Sequence, residues 1–347
     1  MLPPTFEDIV AASEFIAPYL PKTPLVHLSK ISEELGFDYY AKLENLQPVG
    51  AFKVRGGVNL VGNVKTACGS RRVDHANRTS EQATLITAST GNHGRSIAYA
   101  GRLFDARVII YAPADNVNES KMQAMRDLGA EVRLHGRDFD EARLECERVA
   151  REEGFRYVHS ANEPKLIAGV GTIGLEIFED LPDVDVIIAP AGGGSCASGN
   201  CIVAKRLNPN VRVIAVQSDA APAMWHAWRN RTLDPYPTMK TEHEGLATRV
   251  PFEMTNKILW EQLDDFVLVA DEEINEAIRL LARDAKQVAE GAGAASLAAT
   301  IKLRDQNERG SSPTVREDLR GKKVVGILTG GNIPTERFAK LMVCARQ

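Results

Sequence analysis

The sequence predicts an α/β protein in which mostly parallel sheets are covered by helices on both faces. Short apolar runs, such as Val184–Ala189 and Arg107–Ala112, alternate with longer amphipathic segments along nearly the whole chain. The runs are apolar at consecutive positions rather than alternate ones, which suits strands buried on both faces. Glycine and small polar residues mark several points where a run ends and a helical segment begins. A length of 347 residues suggests about two domains.

Thr5-Phe-Glu-Asp8 fits a capping box ahead of Ile9, Val10, Ala12 and Ile16, so a helix opens the chain. Asp38–Glu44 reads as a strand that leads into a loop carrying Lys53. Strands are expected at 84–89, 107–112, 131–134 and 156–160, separated by helices at about 94–103, 118–128 and 138–153. A helix around 165–180 precedes the apolar strand 184–189, after which come a glycine loop, a helix to Leu207 and the strand 211–217. The strand 266–269, a helix from Glu272, an alanine-rich helix at 293–304, the strand 323–328 and a short last helix complete the pattern. Polar stretches at 63–82 and 306–321 read as surface loops, and Trp225–Pro237 as an irregular segment suited to a lid or an interface.

With 44% hydrophobic and 25% charged residues, the composition is that of an ordinary globular protein. A net charge of −4 gives no basic face for nucleic acid. No apolar run approaches the ~18 residues of a membrane span, and the first residues lack the basic and apolar regions of a secretory signal. Cysteines 68, 146, 196, 201 and 344 are odd in number and lack CxxC spacing. Free thiols in a reducing cytoplasm are therefore expected, rather than disulfides or zinc.

Five segments can carry chemistry. Lys53 lies in Pro48-Val-Gly-Ala-Phe-Lys-Val-Arg-Gly56, and alone it reads as a solvated loop lysine. Ala191-Gly-Gly-Gly-Ser-Cys-Ala-Ser-Gly199 joins a strand to a helix, where glycine amides and a helix N-terminus can close on a phosphate. A tight turn is the plainer alternative. A dinucleotide site is another, although Gln217 stands where that site wants an acid. At Ala88-Ser-Thr-Gly-Asn-His93 the turn can hold a carboxylate and Asn92 a ring hydroxyl, or the segment simply caps a helix. His93 suits a catalytic role and a structural one equally. Thr329, in Ile327-Leu-Thr-Gly-Gly-Asn332, ends an apolar strand where α/β sheets meet ligands. Glu290-Gly-Ala-Gly-Ala-Ala295 reads as close helix packing, Glu290 excepted.

This ordered series resembles the fold-type II pyridoxal-phosphate enzymes (tryptophan synthase β-like), and within them the threonine/serine dehydratase and serine racemase branch. It runs from Thr23-Pro-Leu25 through Glu44-Asn-Leu-Gln-Pro48, the Lys53 segment and Asn162-Glu-Pro164 to Thr329-Gly-Gly-Asn332. The resemblance implies a discontinuous large domain, 1–52 with 155–347, and a small α/β domain, 53–154. It implies pyridoxal 5'-phosphate held as a Schiff base on Lys53, which also moves the substrate α-proton. Asn92 would meet the ring hydroxyl. Gly192, Gly193, Gly194, Ser195 and Cys196 would wrap the phosphate, and Thr329 would face the ring nitrogen. Ser89, Thr90 and Gly91 would take the carboxylate of a small amino-acid substrate. The implied reaction is α,β-elimination on L-threonine or L-serine, giving a 2-keto acid and ammonia, in a cytoplasmic homodimer or homotetramer.

The chain departs from the family at several points. Ser195 replaces a usual fourth glycine, and Thr329 a commoner serine. Gln217 and Ala223 stand where metal-dependent relatives carry ligands, so no metal is expected. Thr90 keeps a hydroxyl where racemases use serine, which leaves serine racemase-type activity open. The last strand is followed by too few residues for a regulatory domain. Gln217-Ser-Asp-Ala-Ala-Pro222 and His243-Glu-Gly-Leu-Ala247 are similar to a dehydratase subgroup of hydroxyectoine breakdown. That leaves hydroxyectoine-derived or 3-hydroxyaspartate-like substrates open. β-Replacement is a further possibility on the same cofactor, and the intact Lys53 argues against a non-catalytic sensor.

Overall fold

The computed structural model describes residues 1–70, 84–115, 117–309 and 319–343. The Thr5 hydroxyl accepts from Asp8 N (3.2 Å) and the Asp8 carboxylate accepts from Thr5 N (2.9 Å), closing the capping box that starts α1 (Phe6–Ile16). The chain continues through β1 (Leu25–His27), α2 (Ser29–Leu35), β2 (Asp38–Leu43) and α3 (Lys53–Ser70). Next come β3 (Leu85–Ala88), α4 (Asn92–Leu103), β4 (Val108–Ala112), α5 (Glu119–Asp127), β5 (Glu131–Leu134), α6 (Phe139–Glu152) and β6 (Arg156–Tyr157). Then follow α7 (Pro164–Asp180), β7 (Val186–Pro190), α8 (Ser195–Leu207), β8 (Arg212–Ser218), α9 (Ala223–Asn230), α10 (Glu253–Gln262) and β9 (Asp265–Val269). The last elements are α11 (Asp271–Asp284), α12 (Gly291–Arg309), β10 (Lys323–Leu328) and α13 (Thr335–Val343).

The strands form two sheets. One has six strands in the order β1-β2-β10-β7-β8-β9, parallel except for the antiparallel edge pair β1–β2. The other has four parallel strands in the order β5-β4-β3-β6. Alternate residues of the central strands feed different cores. Ile187, Ala189, Val213, Ala215, Val325 and Ile327 pack with apolar residues of α1, α7, α8 and α10. Val186, Ile188, Ile214, Val216, Val324 and Leu328 pack on the other face with those of α2, α11 and α12. The smaller sheet repeats the pattern, with Leu85, Val108 and Ile110 on one side and Ile86, Ile109 and Tyr111 on the other. Apolar runs without alternation are the signature of this two-sided burial.

Several expectations need correction. Lys53 is the first residue of α3 rather than part of a loop. The stretch expected as a loop from 63 is helical to Ser70, with 71–82 outside the described residues. The second polar stretch is likewise helical to Arg309, with 310–318 outside the described residues. Trp225–Pro237 begins inside α9, which packs on α10. Trp228 Nε1 donates to Leu259 O (3.1 Å) and Trp260 Nε1 to Ala227 O (3.0 Å), fixing that contact. Among the described residues no helix is long and apolar enough to cross a membrane, and Cys146, Cys196 and Cys201 are buried free thiols.

Candidate active site

Residues far apart in sequence meet beyond the carboxyl ends of β3, β7 and β10, where open α/β sheets hold ligands. The segment ahead of Lys53 is laced to the end of β10. Phe52 N donates to Thr329 O (2.9 Å), Ala51 bridges Gly330, and Gly331 N donates to Gly50 O (2.9 Å). α3 then starts at Lys53, whose carbonyl accepts from the Ser96 hydroxyl of α4 (2.6 Å). Lys53 keeps a partial opening to solvent, and its Nζ stands 5.4 Å from the Phe52 ring centroid. Burial lowers its pKa below the ordinary lysine value, while Cys196 and Glu290 pull the other way. An amine so placed loses its proton more readily and can act as nucleophile or base.

The glycine loop is built tightly. A Cβ on Gly192 would lie 2.1 Å from Gly245 O, and Gly194 has φ +85°, which favours glycine. The Gly192 and Gly193 carbonyls accept from the Thr248 hydroxyl (2.8 Å) and the Thr255 hydroxyl (2.9 Å). Among the described residues, the amides of Gly192, Gly193 and Gly194 meet no protein acceptor. They precede α8, whose first residues are Ser195 and Cys196. Unpaired amides ahead of a thirteen-residue helix suit a phosphate. Burial pushes the Cys196 thiol well up, so it stays neutral.

At the end of β3 the Ser89 hydroxyl accepts from Gly91 N (3.2 Å) and Gly94 N (2.9 Å), shaping the turn into α4. Its own amide donates to Tyr111 O. Ser89 thus shapes the turn as an acceptor, its hydroxyl hydrogen meeting only Gly91 O at 3.5 Å, and Thr90 and Gly91 present the turn's open side. A Cβ on Gly91 would meet nothing within 4 Å. His93 is structural. The Thr87 hydroxyl donates to Val158 O (2.8 Å), so it must accept from His93 Nε2 (2.9 Å). Burial holds this imidazole neutral, with a pKa lowered to about 3.

Asn92, the first residue of α4, donates through Nδ2 to Glu290 Oε1 (2.6 Å). Its Oδ1 accepts from Asn332 Nδ2 (2.8 Å), and Asn332 Oδ1 accepts from Arg95 (2.7 Å). Glu290 directly precedes α12, and burial raises its carboxyl pKa. Thr329 is 2% exposed, and its hydroxyl has no partner among the described residues. A buried hydroxyl without a partner is costly unless a bound group completes it.

Arg55, two residues past Lys53, was not singled out by the sequence. It is buried and binds Glu44 through Nε and Nη2 (both 2.8 Å), and Glu176 through Nη1 (2.6 Å) and Nη2 (2.8 Å). Buried Lys42 adds a bond to Glu176 (2.7 Å). The available signal was a charged residue in an otherwise small and apolar helix start. Gln217 is fully engaged as a strut. Its Oε1 accepts from Met224 N and Trp225 N (3.1 and 3.2 Å), and its Nε2 donates to Leu246 O (3.3 Å) beside the glycine loop. Glu242, His243 and Asp271 gather potential ligand atoms. However, Asp271 accepts from Ser218 and Thr241 hydroxyls, and Arg337 pairs with Glu242.

Residues 16–330 match the family described as pyridoxal-phosphate dependent enzyme. The chain is 36% identical over 342 residues to L-threonine ammonia-lyase of Thermotoga maritima, covering 97% of this chain and 78% of that protein. It is 33% identical to a catabolic L-threonine dehydratase of Staphylococcus aureus, covering 96% and 90%. Among solved structures, processed threonine deaminase isoform 2 from Solanum lycopersicum superposes with a TM-score of 0.84 at 28% identity, covering 98% and 92%. The match takes in the lysine that opens α3, the glycine loop and the end of β10, and the chain belongs to the pyridoxal-phosphate dependent enzyme family.

Proposed function

We propose that the chain is an ammonia-lyase that converts L-threonine or L-serine to a 2-keto acid and ammonia. The observation that carries this reading is the lacing of Lys53, with its lowered pKa, against Thr329, whose buried hydroxyl lacks a partner. Pyridoxal phosphate fits these residues. The glycine loop offers unpaired amides and a close backbone for the phosphate, with Ser195 and Cys196 opening the helix behind it. Thr329 offers its hydroxyl to the ring nitrogen, and Asn92 its amide to the ring hydroxyl. When bound, the cofactor supplies an electron sink for the substrate α-carbon.

The protein's own part is binding, orientation and proton movement. Lys53 would hold the cofactor, and its amine, with the pKa lowered by burial, would take the substrate α-proton on Nζ. Thr90 and Gly91, in the turn that Ser89 shapes, receive the substrate carboxylate at the start of α4. The β-hydroxyl leaves as water and a water molecule returns in hydrolysis, so the net change is amino acid to 2-keto acid plus ammonia. The reading also includes a large domain of 1–52 and 155–347 with a small domain of 53–154. It further includes a cytoplasmic location, in keeping with the buried free thiols, and a homo-oligomeric state carried by the family resemblance.

The test is a keto-acid assay of purified protein over threonine, serine, 3-hydroxyaspartate and hydroxyectoine-derived amino acids. The reading expects turnover on threonine or serine that disappears in Lys53→Ala. Absence of keto acid from both would overturn it. With L-serine, D-serine as the product would point instead to racemisation, with Thr90 as the second acid/base.

A further inference from the structure

Four side chains form one directed chain of hydrogen bonds. Arg95 donates to Asn332 Oδ1 (2.7 Å), Asn332 Nδ2 donates to Asn92 Oδ1 (2.8 Å), and Asn92 Nδ2 donates to Glu290 Oε1 (2.6 Å). A guanidinium has no acceptor atoms, and Asn332 Nδ2 also donates to Val49 O (2.9 Å). The chain therefore has one direction only, and each amide is held in one of its two flipped orientations. It also crosses the molecule. Arg95 and Asn92 lie on α4, beside the four-stranded sheet, while Asn332 and Glu290 follow and precede elements packed with the six-stranded sheet. On α4, Asn92 and Arg95 are three residues apart and share a face.

We propose that Arg95 and Asn332 are positioning residues that keep the amide N–H of Asn92, rather than its carbonyl oxygen, available to the cofactor's ring oxygen. This rests on the reading of Asn92 as the partner of that oxygen. An N–H facing the oxygen stabilises its ionised form, whereas a flipped carbonyl would repel it and favour the protonated form. The guanidinium at the donor end polarises both amides in the same sense, which strengthens each bond. The bond from Asn332 Nδ2 to Val49 O ties the relay to the segment ahead of Lys53. The charged groups around its acidic end are Lys121, which pairs with Glu244 (2.5 Å), and Lys53.

The test compares wild type with Arg95→Ala, Arg95→Gln and Arg95→Lys, each loaded with pyridoxal phosphate. The readouts are the ratio of visible to near-ultraviolet absorbance, its pH profile, and cofactor affinity by fluorescence. Arg95→Ala should move intensity from the visible band to the near ultraviolet and weaken cofactor binding by about tenfold, as loss of one charge-assisted hydrogen bond implies. Arg95→Gln, which keeps a donor without the charge, should fall between, and Arg95→Lys should restore most of the wild-type spectrum. If Arg95→Ala does not fold, by circular dichroism of the cofactor-free protein, Arg95→Gln is read in its place. Unchanged band ratio and pH profile in these variants, even with weaker binding, would overturn the relay and leave the functional reading standing. A wild-type protein without any visible cofactor band would instead overturn the functional reading itself.

Discussion

Arg55 grips Glu44 with two parallel hydrogen bonds of 2.8 Å, and both side chains are within 1% of complete burial. The pair sits just behind Lys53 and connects the turn after β2 to the first turn of α3. Without Glu44, the buried cations Arg55 and Lys42 share the carboxylate of Glu176 and a positive charge is left uncompensated, so Glu44→Ala should cost about 3–5 kcal/mol in urea unfolding. A second consequence concerns pH. Burial alone would raise the Glu176 carboxyl, but Arg55 and Lys42 overcome it and hold its pKa below the ordinary 4.5. Its contribution is therefore present above pH 4.5 and lost as pH falls through the lower folded value. Glu176→Gln should make stability less steep in that acid range.

Lys53 is more useful to chemistry than to folding. Burial disfavours its ammonium, so at neutral pH the cofactor-free protein carries a cost that an apolar side chain of similar length removes. Lys53→Met should abolish turnover and raise the stability of the cofactor-free protein by about 1 kcal/mol. The gain should shrink as pH rises through the lowered folded pKa towards the ordinary lysine value of 10.5, since the wild-type amine then becomes neutral in both states. Thermal unfolding of the two cofactor-free proteins across pH checks this.

The Thr329 hydroxyl is buried without a partner. Thr329→Val keeps the shape and deletes that hydroxyl, so the cofactor-free protein should gain about 1 kcal/mol. Turnover should fall at least about tenfold, while Thr329→Ser should stay near wild type. Calorimetry without cofactor, beside steady-state rates with it, separates the two effects.

Gly192→Ala brings a methyl group to 2.1 Å from Gly245 O, against backbone that has no easy retreat. The loop must shift, at a cost of about 1–3 kcal/mol, and its amides lose their common focus. Thermal stabilisation by added pyridoxal phosphate should vanish in this variant, whereas wild type should show it.

The strand and helix order was legible because two-sided burial writes an unbroken apolar run at each inner strand, as in Val186–Pro190. β1 left no such mark, since Val26 and His27 are exposed at the sheet edge. The start of α3 was hidden for another reason. Gly50 precedes Lys53 and Gly56 and Gly57 follow it, a local composition that reads as a loop. The helix is launched by tertiary bonds instead, from Phe52 to Thr329 and from Gly331 to Gly50. Among the candidate site residues, Asn92, the glycine loop and Thr329 drew attention by standing at junctions between elements, whereas Lys53 was singled out by the family resemblance of its segment. The bonds of Asn92 were not legible. Its partners lie 198 and 240 residues away, and pairing across such distances leaves no periodic trace. Nor were the bonds of Ser89 legible, since its hydroxyl accepts from the amides of its own turn, a local contact that the residue type alone does not announce.

Lys53, Asn92, Ser195 and Gly291 are each the first residue of a helix. A helix start carries partial positive charge in its unpaired amides, and at α8 the glycine amides ahead of Ser195 meet no protein acceptor among the described residues. Their summed field attracts anions before any side chain makes contact. An anionic group is favoured there, and burial already disfavours an ammonium on Lys53. Where the backbone begins a helix thus sets an electrical preference for the ligand, while burial sets the reactive state of the lysine.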